Sequence, residues 1–158
     1  MDQATKRTNG YIWNPAAETM PRAERTALQG ERLHQQVERA YTRVPFYRQA
    51  LDKVGVRPQD IRSIEHIEQL PFAVKDDFRA SYPYGLFAIP LSEIVRLHAS
   101  SGTTGKMVIG AYTRADMSMW GEVMARTLAA GGVTADDIFQ NFYGYGLCYA
   151  IARATASR

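Results

Sequence analysis

Near residue 90 the spacing of apolar residues changes from helical to strand-like, and neither an all-helical nor an all-strand fold accommodates both parts. Before that point Leu33, Val37, Ala40, Tyr41 and Val44 form one stripe of a helix expected over Arg22 to Val44, opened by Pro21 and closed by Pro45. Tyr47, Leu51 and Val54 continue at helical intervals, and Gly55 stands where a left-handed C-terminal cap belongs. Ser63 is placed to cap a short third helix carrying Ile64, Ile67 and Leu70, which Pro71 ends. From Pro71 to Pro90 prolines and Gly85 break the pattern, leaving a short helix around Asp76 to Arg79 within an irregular aromatic-rich stretch.

After Leu91 the runs Ile94 to Ala99 and Met107 to Ile109 favour strands and flank a polar segment, so two strands joined by a loop are expected. Thr113-Arg114-Ala115-Asp116 has the spacing of a capping box, and Met117, Trp120, Met124 and Leu128 carry a helix on to Gly131-Gly132. Met117, Met119 and Met124 are expected to fill a core. Ile138 to Phe142 is a third strand candidate, and residues 1–20 form a polar lead that Tyr11, Ile12 and Trp13 can anchor. The fold class is mixed α/β.

The chain has 158 residues, a length that one domain fills. Its 19 Lys and Arg against 16 Asp and Glu leave a net charge of only +3, with the basic residues scattered among carboxylates, which argues against nucleic acid as partner. The single cysteine, Cys148, forms neither an internal disulfide nor a Cys-rich zinc module, which points to a reducing compartment. No apolar stretch approaches the ~18 residues of a membrane span, and no apolar signal core follows Met1 to Arg7. A cytoplasmic protein without membrane contact is expected.

Ser100-Ser101-Gly102-Thr103-Thr104-Gly105-Lys106 places four hydroxyls, two glycines and a cation in seven residues between the two strands. Glycines let backbone N–H groups approach an anion, hydroxyls add donors, and lysine adds charge, so the segment suits phosphate. A Walker A loop would need Gly at 100 and Ser or Thr at 107, where Ser100 and Met107 stand. The same composition also suits a plain hairpin connection, and composition alone leaves both readings open. The other polar candidates read as structural. Asp76 and Asp77 complement a helix start after Lys75, His34 and His66 lie on helices without a partner at ligand spacing, and His98 ends a strand. No metal site is expected from them.

His98 to Lys106 resembles the phosphate loop of adenylate-forming enzymes, and the surrounding sequence resembles the beginning of the phenylacetate-CoA ligase family. The likeness runs through Leu28 to Leu33, Val44 to Arg48, Leu70-Pro71-Phe72, Lys75-Asp76-Asp77, Tyr82 to Ala88 and Tyr143 to Leu147. It implies ATP-dependent activation of an aryl acid through an acyl-adenylate and transfer to coenzyme A, with ATP, Mg2+ and coenzyme A as co-substrates. On this resemblance Ser100, Ser101, Gly102, Thr103, Thr104, Gly105 and Lys106 bind the phosphates, with Lys106 as the catalytic cation. Tyr143, Gly144 and Tyr145 help wall the aryl-acid pocket, for which packed core tyrosines are the alternative. The family's proline after this lysine is replaced by Met107, and its aromatic residue at 148 by Cys148.

The implied organisation is a helical lead (1–90), the start of the ATP-binding α/β region of such an enzyme's N-terminal domain (91–147) and a divergent tail (148–158). The family's enzymes are more than twice as long, so an incomplete portion, inactive alone, is expected. The alternative is a non-catalytic remnant or interaction module that binds a partner, with self-association or pairing with the missing portion as the partners expected.

Overall fold

The computed structural model describes residues 12–100, 107–138 and 140, and the backbone of 151–152. In chain order the elements are α1 (Pro15–Glu18), α2 (Arg22–Arg43), α3 (Pro45–Val54), 3₁₀ turns at Pro58–Asp60 and Ile64–Gln69, α4 (Lys75–Ala80), a 3₁₀ turn at Leu91–Glu93, β1 (Ile94–Ala99), β2 (Ile109–Thr113), α5 (Arg114–Ala130) and β3 (Ile151–Ala152). They divide into two compact units, residues 21–113 with β3, and residues 12–20 with 114–138 and 140. The change of texture at residue 90 lies inside the larger unit.

In the larger unit α2 and α3 are separated by Val44 alone, which is buried and extended, and Pro45 occupies the first turn of α3 where its missing N–H costs nothing. Gly55, at φ 72°, ends α3: its N–H donates to Asp52 O at 3.1 Å and the next N–H, of Val56, donates to Leu51 O at 3.1 Å. Those two bonds are a Schellman cap, as the glycine's position predicts. Val37, Leu51 and Ile61 form the core, with Leu33, Tyr41, Val56 and Leu70 packed against it, so the helical stripe read in the sequence is the buried one.

The segment expected as a third helix is a 3₁₀ turn, held close to α2 across Gly30. A Cβ on Gly30 would lie 3.1 Å from Ser63 Cα and 3.3 Å from Ile64 N, so only glycine permits this approach undisturbed. Two histidines fasten the connection with opposite tautomers. His34 Nδ1 lies 3.1 Å from Pro58 O and 3.0 Å from Ile61 O, and since carbonyls only accept, it carries a proton and donates. His66 Nδ1 instead accepts from the backbone N–H groups of Arg62 and Ser63, at 3.0 and 3.3 Å.

The smaller unit is built on α5, whose first turn contains Asp116. Its end repeats the cap of α3: Gly132, at φ 87°, donates to Ala129 O and Val133 to Leu128 O. One expectation fails here, and a second finds no strand at the residues described. Met119, Trp120, Val123 and Met124 are exposed, so Met119 and Met124 fill no core, and Met117 is only partly covered; the buried position is Ala129, on another side of the helix. Within the Ile138 to Phe142 strand candidate, Ile138 and Gln140 are not in a strand and Ile138 is 99% exposed. Thr134 and Asp137 close a turn just before it, the Thr134 N–H donating to Asp137 Oδ2 at 2.8 Å. Phe139, Asn141 and Phe142 of that candidate lie outside the described residues.

Candidate phosphate-binding hairpin

β1 and β2 pair antiparallel, with Arg96 opposite Tyr112, Leu97 opposite Ala111, His98 opposite Gly110 and Ala99 opposite Ile109. Between Ile94 and Arg96 the register shifts by one residue, a bulge on β1 that leaves the loop-proximal pairs in step. β2 therefore begins two residues later than the Met107 to Ile109 run and extends to Thr113. On its other edge β1 pairs with β3, Arg96 with Ala152 and Leu97 with Ile151, so the divergent tail supplies a short strand to this sheet.

One step beyond Ala99 the hairpin closes through Ser100. Its backbone N–H donates to Val108 O at 2.9 Å, and its Oγ accepts the Val108 N–H at 3.2 Å, standing in for a main-chain carbonyl. The stem thus brings the two ends of the candidate loop side by side and fixes its span. A serine oxygen that accepts from Val108 retains its O–H for donation, so Ser100 both closes the stem and offers one hydroxyl beside the loop. Ser101, Gly102, Thr103, Thr104, Gly105, Lys106, Tyr143, Gly144 and Tyr145 lie outside the described residues. Among the sequence-derived site residues the structure therefore places Ser100 alone.

The stem also holds a pair that sequence reasoning passed over. The rings of His98 and Tyr112 meet edge to face with centroids 4.9 Å apart. Gly110 lies opposite His98 on the same face and two residues before Tyr112, whose ring covers it: a Cβ built at Gly110 would touch the Tyr112 ring at 3.5 to 3.8 Å. Partial burial, followed by the nearby Arg96 guanidinium, holds the His98 pKa below its ordinary value, so the imidazole on β1 is neutral at pH 7. The strand alternation that puts 110 and 112 on one face was the signal available in the sequence.

The acidic residues of α4 do structural work. Asp77 Oδ2 accepts the Val74 N–H at 2.8 Å, closing the helix start, and Asp76 pairs with Arg79 at 2.7 Å. Among the described residues no three His, Cys, Asp or Glu side chains come together as a metal site, and no helix is long and apolar enough to cross a membrane.

No protein-family model matches the chain. It is 48% identical to the phenylacetate-coenzyme A ligase of Thermus thermophilus over 136 residues, and 42% identical to that of Escherichia coli K12 over 130 residues, matches that cover 86% and 82% of this chain. A 2-hydroxyisobutyryl-CoA ligase solved with 2-HIB-AMP and CoA in its thioesterification state superposes with a TM-score of 0.68 at 35% identity over 82% of this chain. The chain spans about three-tenths of the length of each of these proteins, 31%, 30% and 28% respectively. Over that span it is homologous to phenylacetate-CoA ligases, and its mixed helical and antiparallel-sheet structure resembles the N-terminal region of an adenylate-forming CoA ligase.

Proposed function

We propose that this chain forms the phosphate-binding portion of an AMP-forming acid–CoA ligase acting on an aryl acid of the phenylacetate type, with the hairpin loop as the seat of the ATP phosphates. The observation that carries the reading is the 48% identity over 136 of 158 residues, a match too long to leave out the hairpin and its loop. The reaction joins two anions: the acid's carboxylate attacks the α-phosphorus of ATP, the bond to pyrophosphate breaks, and the thiol of coenzyme A then displaces AMP from the acyl-adenylate. Charge compensation is the first requirement of such a step. In this reading the N–H and hydroxyl donors of Ser100 to Gly105 receive phosphate oxygens and Lys106 neutralises charge as pyrophosphate forms, while Tyr143, Gly144 and Tyr145 wall the acid. Magnesium accompanies ATP in such chemistry, and among the described residues the carboxylates do not gather into a ligand set for it.

Titrating the 15N-labelled chain with ATP tests this reading, with the Ser100 and Val108 amides at the loop's two ends as reporters. They are expected to shift saturably, and Lys106→Ala is expected to weaken the response. Amides that stay still at millimolar ATP would contradict the proposal for this chain. The exposed row Met119, Trp120, Val123 and Met124 favours a second reading, an interaction module, which a phosphate-silent hairpin would leave standing.

A further inference from the structure

Residues 12–20 belong to the same compact unit as α5, and none of them is buried among the described residues. α1 buries none of its four residues, and Ile12 and Trp13 are about half exposed. The described attachment is polar and converges on one carboxylate. Trp13 Nε1–H donates to Glu122 Oε2 at 3.0 Å, and Asn14 Nδ2–H donates to Glu122 Oε1 at 2.7 Å, across more than 100 residues of sequence. On the same helix Arg126 donates to Oε1 from Nε at 3.0 Å and pairs with it through Nη2 at 3.0 Å. Asn14 also organises the segment it belongs to: its Oδ1 accepts the Ala17 N–H at 3.2 Å, so the residue that caps α1 is the one that hooks α5.

We propose that residues 12–20 are a strap whose hold on α5 is set by the charge of Glu122: ionised, the carboxylate gathers three donors and the strap is closed; neutralised, it lets the strap go while α5 stays folded. A carboxylate offers lone pairs to all three donors at once, whereas a protonated or amide group turns a donor of its own toward one of them. The charged groups around the node are consistent with this. Arg126 lies beside Glu122 on α5, and on the strap the carboxylate of Glu18 is turned onto the Asn14 backbone N–H at 2.5 Å. The bonds from Asn14, Trp13 and Arg126 also hold the Glu122 pKa below its ordinary 4.5. A carboxyl depressed in this way contributes above its ordinary pKa and loses its contribution as the pH falls through the folded value. The strap is therefore closed at neutral pH and opens only in acid, or wherever a ligand or substitution removes the charge.

Hydrogen exchange of the full chain tests the strap, because a four-residue helix does not persist once detached and its amides become exchangeable. Glu122→Gln is expected to raise exchange at Ala17, Glu18 and Thr19 by about tenfold at pH 7 with exchange across α5 unchanged. Asn14→Asp is the second variant. Aspartate still caps α1, but it loses the donor to Glu122 and sets a second carboxylate against it, so the same opening is expected without any change in α5. The wild-type strap should loosen as pH falls below 4.5, and the Glu122→Gln chain should lack that step. Unchanged exchange at residues 17–19 in a folded variant, or strap and α5 loosening together in Asn14→Asp, would overturn the proposal. If Glu122→Gln fails to fold, Asn14→Asp alone decides.

Discussion

His98 carries the most information of any single described residue near the loop. Its lowered pKa means that the folded chain binds that proton less readily than the unfolded chain does. Stability from this group is therefore complete above the ordinary histidine value of 6.5 and falls as the pH drops below it, where the unfolded chain takes up the proton first. Thermal melts at pH 7.5 and 5.5 should show a loss in acid that His98→Gln lacks. Equal losses in both chains would remove the neutral imidazole from the account. Ser100 teaches a different lesson. Its type and position marked it as a hydroxyl donor, but its oxygen also closes the hairpin against Val108, a main-chain role that no residue-type reading reveals. His34 and His66 likewise read only as structural residues without a partner at ligand spacing, and each ties two backbone groups of the connection that follows α3, one by donating and the other by accepting.

Among the elements, helices ended by strong local signals were legible, and those depending on tertiary contact were not. α2, α3, α4 and α5 follow their stripes and punctuation, because a positive-φ glycine or a proline limits a helix whatever packs around it. The segment after Ser63 wound as a 3₁₀ turn instead, since Gly30 draws it against α2, a long-range approach invisible to periodicity. The same contrast predicts opposite outcomes for two glycines in helices. At Gly30 a methyl group meets the backbone of Ser63 and Ile64, and about 1–3 kcal/mol of overpacking outweighs the helix preference gained. At Gly121 nothing lies within 4 Å, and alanine should stabilise by about 0.5–1 kcal/mol. Urea denaturation of Gly30→Ala and Gly121→Ala checks both signs, and a stabilised Gly30→Ala would show that the contact yields easily. The bulky face of α5 marks the limit of pattern reading: its helical spacing was correct, but spacing does not say which side is covered.

At the scale of the molecule, the family likeness spans the whole of the β1–β2 stem. The sequence carried the family through many short matches spread from Leu28 to Leu147, and the comparison with whole ligases extends over 86% of the chain. The stem that Ser100 and Val108 close holds the two ends of the segment to which the proposal assigns the ATP phosphates. What the loop and the Tyr143 segment each do is a division of labour drawn from the resemblance, and it is open to direct trial in a whole enzyme. The decisive measurement joins residues 1–147 to the remaining part of a related phenylacetate-CoA ligase and follows acid-dependent pyrophosphate release. The account predicts that Thr104→Ala or Lys106→Ala lowers kcat/KM for ATP roughly ten- to a thousandfold with the ranking of acids unchanged. Tyr143→Ala should reorder the acids with a smaller effect on ATP, because a ring wall acts on acid binding and not on phosphate charge. An active chimera in which the loop variants leave ATP use untouched, or in which both kinds of variant shift ATP use and acid ranking alike, would contradict it.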